Sequence, residues 1–188
     1  ADSTGGGDPK AAAPAGAGGR GSCRAEAADG SEVVRIELGA SVSISFGGKT
    51  ITGTSKGDKR RYEMDSQLVA VVKRDGDKIK LKDEAGKLLW KIKISEDKIK
   101  ISDNEEGDGA YSLKPKGDDV KVKKGEDEIG KVKFYAADGR IKVKDAADAE
   151  QYQAKTAKAS AMWGVLLMKD IPEPQRFVVM AEIGARGR

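Results

Sequence analysis

Four short segments in the second half of the chain carry one alternation at nearly constant spacing: Lys78-Ile79-Lys80-Leu81-Lys82, Lys98-Ile99-Lys100-Ile101-Ser102, Val120-Lys121-Val122-Lys123 and Ile141-Lys142-Val143-Lys144. Ile79 to Ile99 is 20 residues, Ile99 to Val120 is 21, and Val120 to Ile141 is 21. A fixed period of this length means that one supersecondary unit is repeated. A second β-type segment follows each first one, at Leu88–Ile94, Ala110–Leu113, Ile129–Tyr135 and Gln151–Ala154, so the unit is a hairpin. The connecting pieces, such as Asp75-Gly76-Asp77, Asp83-Glu84-Ala85-Gly86, Ser95-Glu96-Asp97, Gly117-Asp118-Asp119 and Asp138-Gly139, supply positive-φ and side-chain-capped positions. An antiparallel meander is the simplest connectivity.

The same period-two grammar begins earlier. Val34, Ile36 and Leu38 alternate with Arg35 and Glu37, and Val42, Ile44 and Phe46 alternate with Ser43 and Ser45. Further strands are expected around Ile51-Thr52, Tyr62 to Met64 and Leu68 to Lys73. Because side chains alternate across a strand, the aliphatics share one sheet face and the lysines the other, while the acids gather in the turns. Between Lys73 and Asp148 there are 20 Lys plus Arg and 18 Asp plus Glu, so the segment is nearly neutral in sum but spatially sorted. Lys80, Lys82, Lys100, Lys121, Lys123, Lys142 and Lys144 form the candidate basic interaction face. Such a face either keeps a sheet soluble and unpaired or meets anionic headgroups or an acidic partner.

After Tyr152 the pattern changes to Ala157-Lys158-Ala159-Ser160-Ala161-Met162-Trp163-Gly164-Val165-Leu166-Leu167-Met168, then Phe177-Val178-Val179-Met180-Ala181-Glu182-Ile183. Both runs read as helical. For the second, Asp170 as cap, Pro172 near the first turn and Gly184 as C′ residue predict a helix from Pro172 to Ile183. Each run is shorter than the ~20 apolar residues of a membrane span. Helices apolar nearly all round must be buried, and the oily sheet face is the surface large enough to receive them. The expected fold is mainly β: an antiparallel hairpin meander curled into a barrel or strongly curved sheet around one or two C-terminal helices. Trp90 and Trp163 are expected in its core.

Residues 1–30 are Gly, Ala, Ser, Pro and Asp with hardly a large apolar side chain, a composition that cannot offset the entropy of folding and reads as a flexible linker. The domain is then 31–188. A chain that starts at Ala1 without Met and runs into such a tether resembles the mature region of bacterial lipoproteins. That resemblance implies the periplasmic side of a bacterial cell envelope, with a lipid anchor at a cysteine preceding Ala1. Cys23 is the single cysteine, flanked by Arg20 and Arg24, and no disulfide within the chain is available to it. It is expected as an incidental linker thiol.

Composition narrows the chemistry. No histidine occurs among 188 residues, which excludes His-based triads and His-ligated metal sites. Net charge is only +4, from 35 Lys plus Arg against 31 Asp plus Glu, too little to drive nucleic-acid binding by itself. The lysine face also lacks the interleaved aromatics that stack on bases. Gly16-Ala17-Gly18-Gly19-Arg20-Gly21 spells G-x-G-x-x-G without the preceding strand and following helix that seat a pyrophosphate. Asp103-Asn104-Glu105-Glu106-Gly107-Asp108-Gly109 is rich in carboxylates but lacks calcium-loop spacing. A hydrolase of the two-carboxylate kind would need two acids in one cleft, whereas the acids here lie in turns.

The rhythm of Gly86-Lys87-Leu88-Leu89-Trp90-Lys91-Ile92, Gly130-Lys131-Val132-Lys133 and Asp138-Gly139-Arg140-Ile141-Lys142, followed by apolar runs at 161–168 and 177–183, resembles the tubby C-terminal-like fold and its LURP-one-related branch over residues 61–184. The resemblance implies a closed barrel threaded by its C-terminal helix, and phosphoinositide-type headgroup binding or action at membranes without catalysis. It assigns no site residue.

The expectation is therefore a non-enzymatic binding or scaffolding module without cofactor, metal or small-molecule substrate, and without nucleic acid. Its partners are other protein subunits reached through the N-terminal linker, as an accessory subunit of an envelope assembly. The alternative is an anionic lipid headgroup binder.

Overall fold

The structure, a computed structural model, describes residues 21–156 and 158–188. Fourteen antiparallel strands follow one another in a meander: β1 (Gly21–Ala27), β2 (Glu32–Leu38), β3 (Ser41–Phe46), β4 (Lys49–Lys56), β5 (Lys59–Met64), β6 (Gln67–Asp75) and β7 (Lys78–Lys82). Then come β8 (Leu88–Ile94), β9 (Ile99–Ser102), β10 (Tyr111–Lys116), β11 (Asp119–Lys124), β12 (Asp127–Tyr135), β13 (Arg140–Asp145) and β14 (Glu150–Lys155). Each strand pairs with its neighbours in sequence, and β1 pairs with β14, so the sheet closes into a barrel.

Barrel width grows with strand number, and ~8 strands already fill their interior with side chains. A fourteen-stranded barrel needs an internal plug. It is supplied by a 3₁₀ segment, Ala161–Leu167, and one helix, α1 (Glu173–Ala185). Seven consecutive α1 residues, Phe177 to Ile183, are buried, which requires apolar surroundings on every side. The 3₁₀ segment packs against β10–β13 and α1 against β2, β3 and β6, so the two pieces share the lumen. Inward positions of the strands, including Ile36, Ile44, Ile79, Leu81, Ile92, Ile99, Leu113, Val122, Ile141 and Val143, are at most 1% exposed. Phe46 and Phe177 meet with ring centroids 4.9 Å apart, and Trp163 is buried in the same core.

The plug is pinned at both mouths. At one, the Tyr111 hydroxyl donates to Asp170 Oδ2 at 2.7 Å and Lys124 pairs with the same carboxylate. At the other, Arg186 Nη1 donates to the Gly76 carbonyl at 2.7 Å and Arg188 Nη2 to the Ser95 carbonyl at 2.8 Å. No helix among the described residues is long and apolar enough to cross a membrane.

Four expectations are corrected. The linker was expected to end at residue 30, but β1 occupies Gly21–Ala27 and supplies both closing ladders. Only Cys23 and Ala25 of β1 point toward the core, so this strand is held by backbone pairing with β2 and β14 more than by its own apolar area. Residues 1–20, with most of the G-x-G-x-x-G spelling, lie outside the described residues. The first apolar run forms a 3₁₀ segment rather than an α-helix, capped by Ser160, whose Oγ accepts from Met162 N; Ala157 lies outside the described residues. Asp170 caps nothing, because Pro172 occupies the N-cap without a side-chain hydrogen bond. Gly184 lies inside α1, where a Cβ would sit 2.9 Å from Met162 Sδ, and the positive-φ glycine past the helix is Gly187.

Candidate functional site

Register turns the lysine face into ladders. Lys59 lies opposite Lys73, Lys73 opposite Lys80, and Lys80 opposite Lys91, an unbroken row across β5–β8. Lys114, Lys121, Lys131 and Lys144 make a second such row across β10–β13. A third runs Lys78, Lys93, Lys100, then Ser112 and Lys123, and Lys133 faces Lys142 in a fourth. Neighbouring strands are ~4.8 Å apart, and like charges placed directly opposite repel. At 4–5 Å in water that repulsion is about 1 kcal/mol per pair before the side chains splay.

The chain partly neutralises these rows itself. Glu105, on the β9–β10 loop, sets Oε1 3.0 Å from Lys80 Nζ and Oε2 3.6 Å from Lys91 Nζ. Asp148, on the β13–β14 turn, sets Oδ1 3.0 Å from Lys131 Nζ and 3.8 Å from Lys144 Nζ. The hydrogen bond from Lys80 holds the Glu105 carboxyl below its ordinary range, and that from Lys131 does the same for Asp148. In return the Asp148 hydrogen bond raises Lys131. Asn104 builds the loop that carries Glu105: its Oδ1 accepts from Gly107 N at 2.7 Å and Asp108 N at 2.9 Å. The carboxylates of residues 103–109 are thus spread over a loop whose Glu105 is turned onto lysines.

Six of the seven lysines singled out from the sequence stand in these rows. Lys82 does not: it stands opposite Val71 of β6, and on its other side a register shift between Leu81 and Lys82 sets it opposite Leu88 of β8. Sequence reasoning missed the second-strand lysines Lys91, Lys93, Lys131 and Lys133, although they alternate with aliphatics in the same way. It also missed a row at the barrel closure. There Arg35 faces Arg24, Arg140 faces Lys155, and the Ala25–Ala154 pairing sets Arg24 beside Lys155. These line a cleft of about 330 Å³ in which Arg140 Nη1 donates to Gln153 Oε1 at 3.3 Å and Arg24 lies 3.2 Å from Glu26. The linker reading had put Arg24 outside the fold.

Cys23, half-buried in β1, has its thiol pushed up to about 11 by burial, partly offset by a hydrogen bond with the Ile36 backbone. A thiol held protonated is a poor nucleophile and a poor metal ligand.

Inside the barrel one polar group had no counterpart in the sequence reading. Glu182 of α1 is 0% exposed, and its Oε1 accepts from Tyr62 Oη at 2.6 Å and from Arg60 Nη1 at 2.9 Å. Arg60 Nε donates to Ser55 Oγ at 2.9 Å. Burial pushes the Tyr62 hydroxyl well above its ordinary value, and the Glu182 charge adds to this. For Arg60, burial opposes the charged form but the Tyr62 hydrogen bond and the Glu182 charge outweigh it. Gly53, directly opposite Tyr62, makes room for the ring: a Cβ there would lie 2.6 Å from Tyr62 Cε1. The available signal was a lone carboxylate within an apolar run, which physical chemistry allows only if a partner is buried with it. The carboxylate is engaged by a cation and a phenol, a clamp joining α1 to β5.

No family model and no curated protein matches the chain. Among solved structures, an X-ray structure of a protein from Arabidopsis thaliana is similar at a TM-score of 0.38 and 15% identity, over 65% of this chain and 89% of that chain, a distant likeness of fold.

Proposed function

We propose that the protein is a non-catalytic docking module that binds an anionic membrane surface through its lysine ladders. The carrying observation is the in-register stacking of Lys59, Lys73, Lys80 and Lys91, and of Lys114, Lys121, Lys131 and Lys144, on the outward face. Edge protection does not account for them, because β1–β14 pairing leaves no edge to protect. Solubility calls for mixed signs rather than single-sign rows. A layer of phosphate-bearing headgroups relieves the repulsion along a row, and each lysine near such a surface contributes about 1 kcal/mol. The resemblance to tubby-like and LURP-one-related folds favours the same reading, as does Glu182, the one acid fully buried among the described residues, already paired with Arg60 where two-carboxylate chemistry needs two acids.

A second reading, an accessory subunit of an envelope assembly, is favoured by the extent of the basic arc. It spans β5–β13, more than half the fourteen strands, which suits an acidic protein surface that wraps the barrel. Cosedimentation with vesicles of phosphatidylcholine plus phosphatidylserine, against phosphatidylcholine alone, decides. Salt-sensitive binding to the mixed vesicles alone supports the membrane reading. Failure to bind them, with retention on immobilised poly-glutamate, replaces it by the second.

A further inference from the structure

Two lysine pairs on the barrel wall are each bridged by a carboxylate from the chain itself: Lys80 and Lys91 by Glu105, Lys131 and Lys144 by Asp148. Between these two filled positions lies a third arrangement of the same kind. On β10, Ser112 stands directly opposite Lys100 of β9 on one side and Lys123 of β11 on the other. The two lysines are therefore two strand spacings apart, about 10 Å. Ser112 is only 8% exposed although it faces outward, because it forms the floor of a cleft of about 340 Å³. Lys98 and Lys114 line this cleft as well, together with Asp108 and Glu126. Among the described residues, Lys98, Lys100, Lys114 and Lys123 take part in none of the salt bridges. Four ammonium groups less two carboxylates leave the cleft lining at +2.

We propose that this cleft is a binding site for one tetrahedral dianion, a phosphate monoester or a free phosphate or sulfate ion. Lys100 and Lys123 grip it from either side and the Ser112 hydroxyl donates from below. The bond geometry suits the residues. Lysine ammoniums act as mobile point charges with three donors each, so they close across a 10 Å gap more readily than a rigid fork would. A serine hydroxyl at the floor supplies the oriented donor. A net lining of +2 matches a group carrying two negative charges better than the single charge of a carboxylate or phosphodiester. The β9–β10 loop beside the cleft commits Glu105 to Lys80 and Lys91, so this carboxylate is not shared with Lys100 and Lys123.

The proposal deepens the reading of the wall as an anion-binding surface and rests on it. The test is a titration of the full, ¹⁵N-labelled chain with inorganic phosphate, at mildly alkaline pH where phosphate is a dianion, and at constant ionic strength. The expected result is saturable shifts of Gly109, Ser112, Lys123 and Gly125 amides. Lys100→Gln or Lys123→Gln should weaken the affinity about tenfold, the size of one lost charge-assisted hydrogen bond, and Lys49→Gln, on β4 and outside every lysine row, should leave it unchanged. Ser112→Ala should weaken binding by a smaller factor without altering the wall's charge. Shifts that stay linear and spread over every lysine row, or wild-type affinity in both Lys100→Gln and Lys123→Gln, would overturn the site. Vesicles carrying phosphatidic acid, a monoester, separate the sources: binding to them that needs Lys100 and Lys123 makes the ligand a lipid. Saturable phosphate binding without any vesicle binding makes it a soluble phosphate, in which case the site stands and the membrane reading falls. Binding to phosphatidylserine vesicles with no saturable phosphate site does the reverse.

Discussion

Replacing Glu182 by Gln removes one charge from the middle of the barrel and leaves Arg60, itself 6% exposed, without a counter-ion. The Glu182 carboxylate is 0% exposed and accepts both the Tyr62 hydroxyl at 2.6 Å and Arg60 Nη1 at 2.9 Å, so nothing in water compensates either partner. Breaking a buried pair in this way costs about 3–5 kcal/mol, mostly the penalty of the orphaned charge. For a chain of this length 1 kcal/mol moves Tm by about 2–4 °C, which places the expected drop at roughly 6–20 °C. Urea unfolding followed by tryptophan fluorescence is a suitable assay, since Trp163 is 2% exposed and Trp90 Nε1 donates to Gln175 of α1. The companion is a triple variant, Arg60→Met, Tyr62→Phe and Glu182→Leu, which removes every member of the clamp together. Its stability should return to that of the parent or exceed it by about 1–4 kcal/mol, as apolar replacements of buried ion pairs do. A Glu182→Gln cost below about 1 kcal/mol, or a triple variant as damaged as the single one, would refute the view of the clamp as a buried, charge-paired unit.

Other expectations follow from the same packing and charge arrangement. Gly164→Ala drives a Cβ to 2.5 Å from Leu113 Cδ2 and 2.9 Å from Val122 Cγ2, so the 3₁₀ segment must back away from β10 and β11. A loss of about 1–3 kcal/mol in denaturant unfolding is expected for such overpacking. Cys23, with its thiol pushed up to about 11, should react with a disulfide reagent roughly two orders of magnitude more slowly than free cysteine near neutral pH, and at the free-cysteine rate once unfolded. Glu105, Asp148 and Asp170 are held below their ordinary values by hydrogen bonds from Lys80, Lys131 and Lys124 respectively. Their folded pKa values lie below the unfolded ones, so their contribution is complete above the unfolded values near 4 and is lost as pH falls through the folded ones. Acid unfolding should therefore shift toward neutral pH at high salt, and Glu105→Gln with Asp148→Asn should remove much of that salt dependence.

What the sequence discloses here depends on whether a residue's role is set by its own strand or by what lies beside it. Leu88–Ile94 and Lys78–Lys82 were legible to the residue, because period-two alternation bounded by Asp-Gly turns is a local signal. The inward aliphatics and outward lysines followed from the same alternation. Closure did not: β1 carries only Cys23 and Ala25 inward and looks like tether, yet its Ser22-Arg24-Glu26 alternation was present and is decisive only once β2 and β14, paired with β3 and β13, each need a second neighbour. The rows of opposed lysines need register, which a repeat of 20 or 21 residues suggests but bulges such as that at Leu81/Lys82 alter. Arg60 and Glu182 lie 122 positions apart, and no local pattern links them. The apolar run at 161–167 is helical in composition, but Gly164 and the close walls of β10 and β11 set it as a tighter 3₁₀ coil.

The most direct measurement is the partition of the protein onto vesicles containing phosphatidylserine, compared with a variant in which Lys93, Lys121, Lys133 and Lys142 are all glutamine, across a range of salt. These four lie on four different strands of the ladder face. With each lysine contributing up to about 1 kcal/mol near an anionic surface, the variant is expected to bind roughly a hundred- to a thousandfold more weakly and to lose most of its salt dependence. Equal partition of the two proteins, or no partition of the parent at low salt, would contradict the assignment of the lysine ladders as the docking surface.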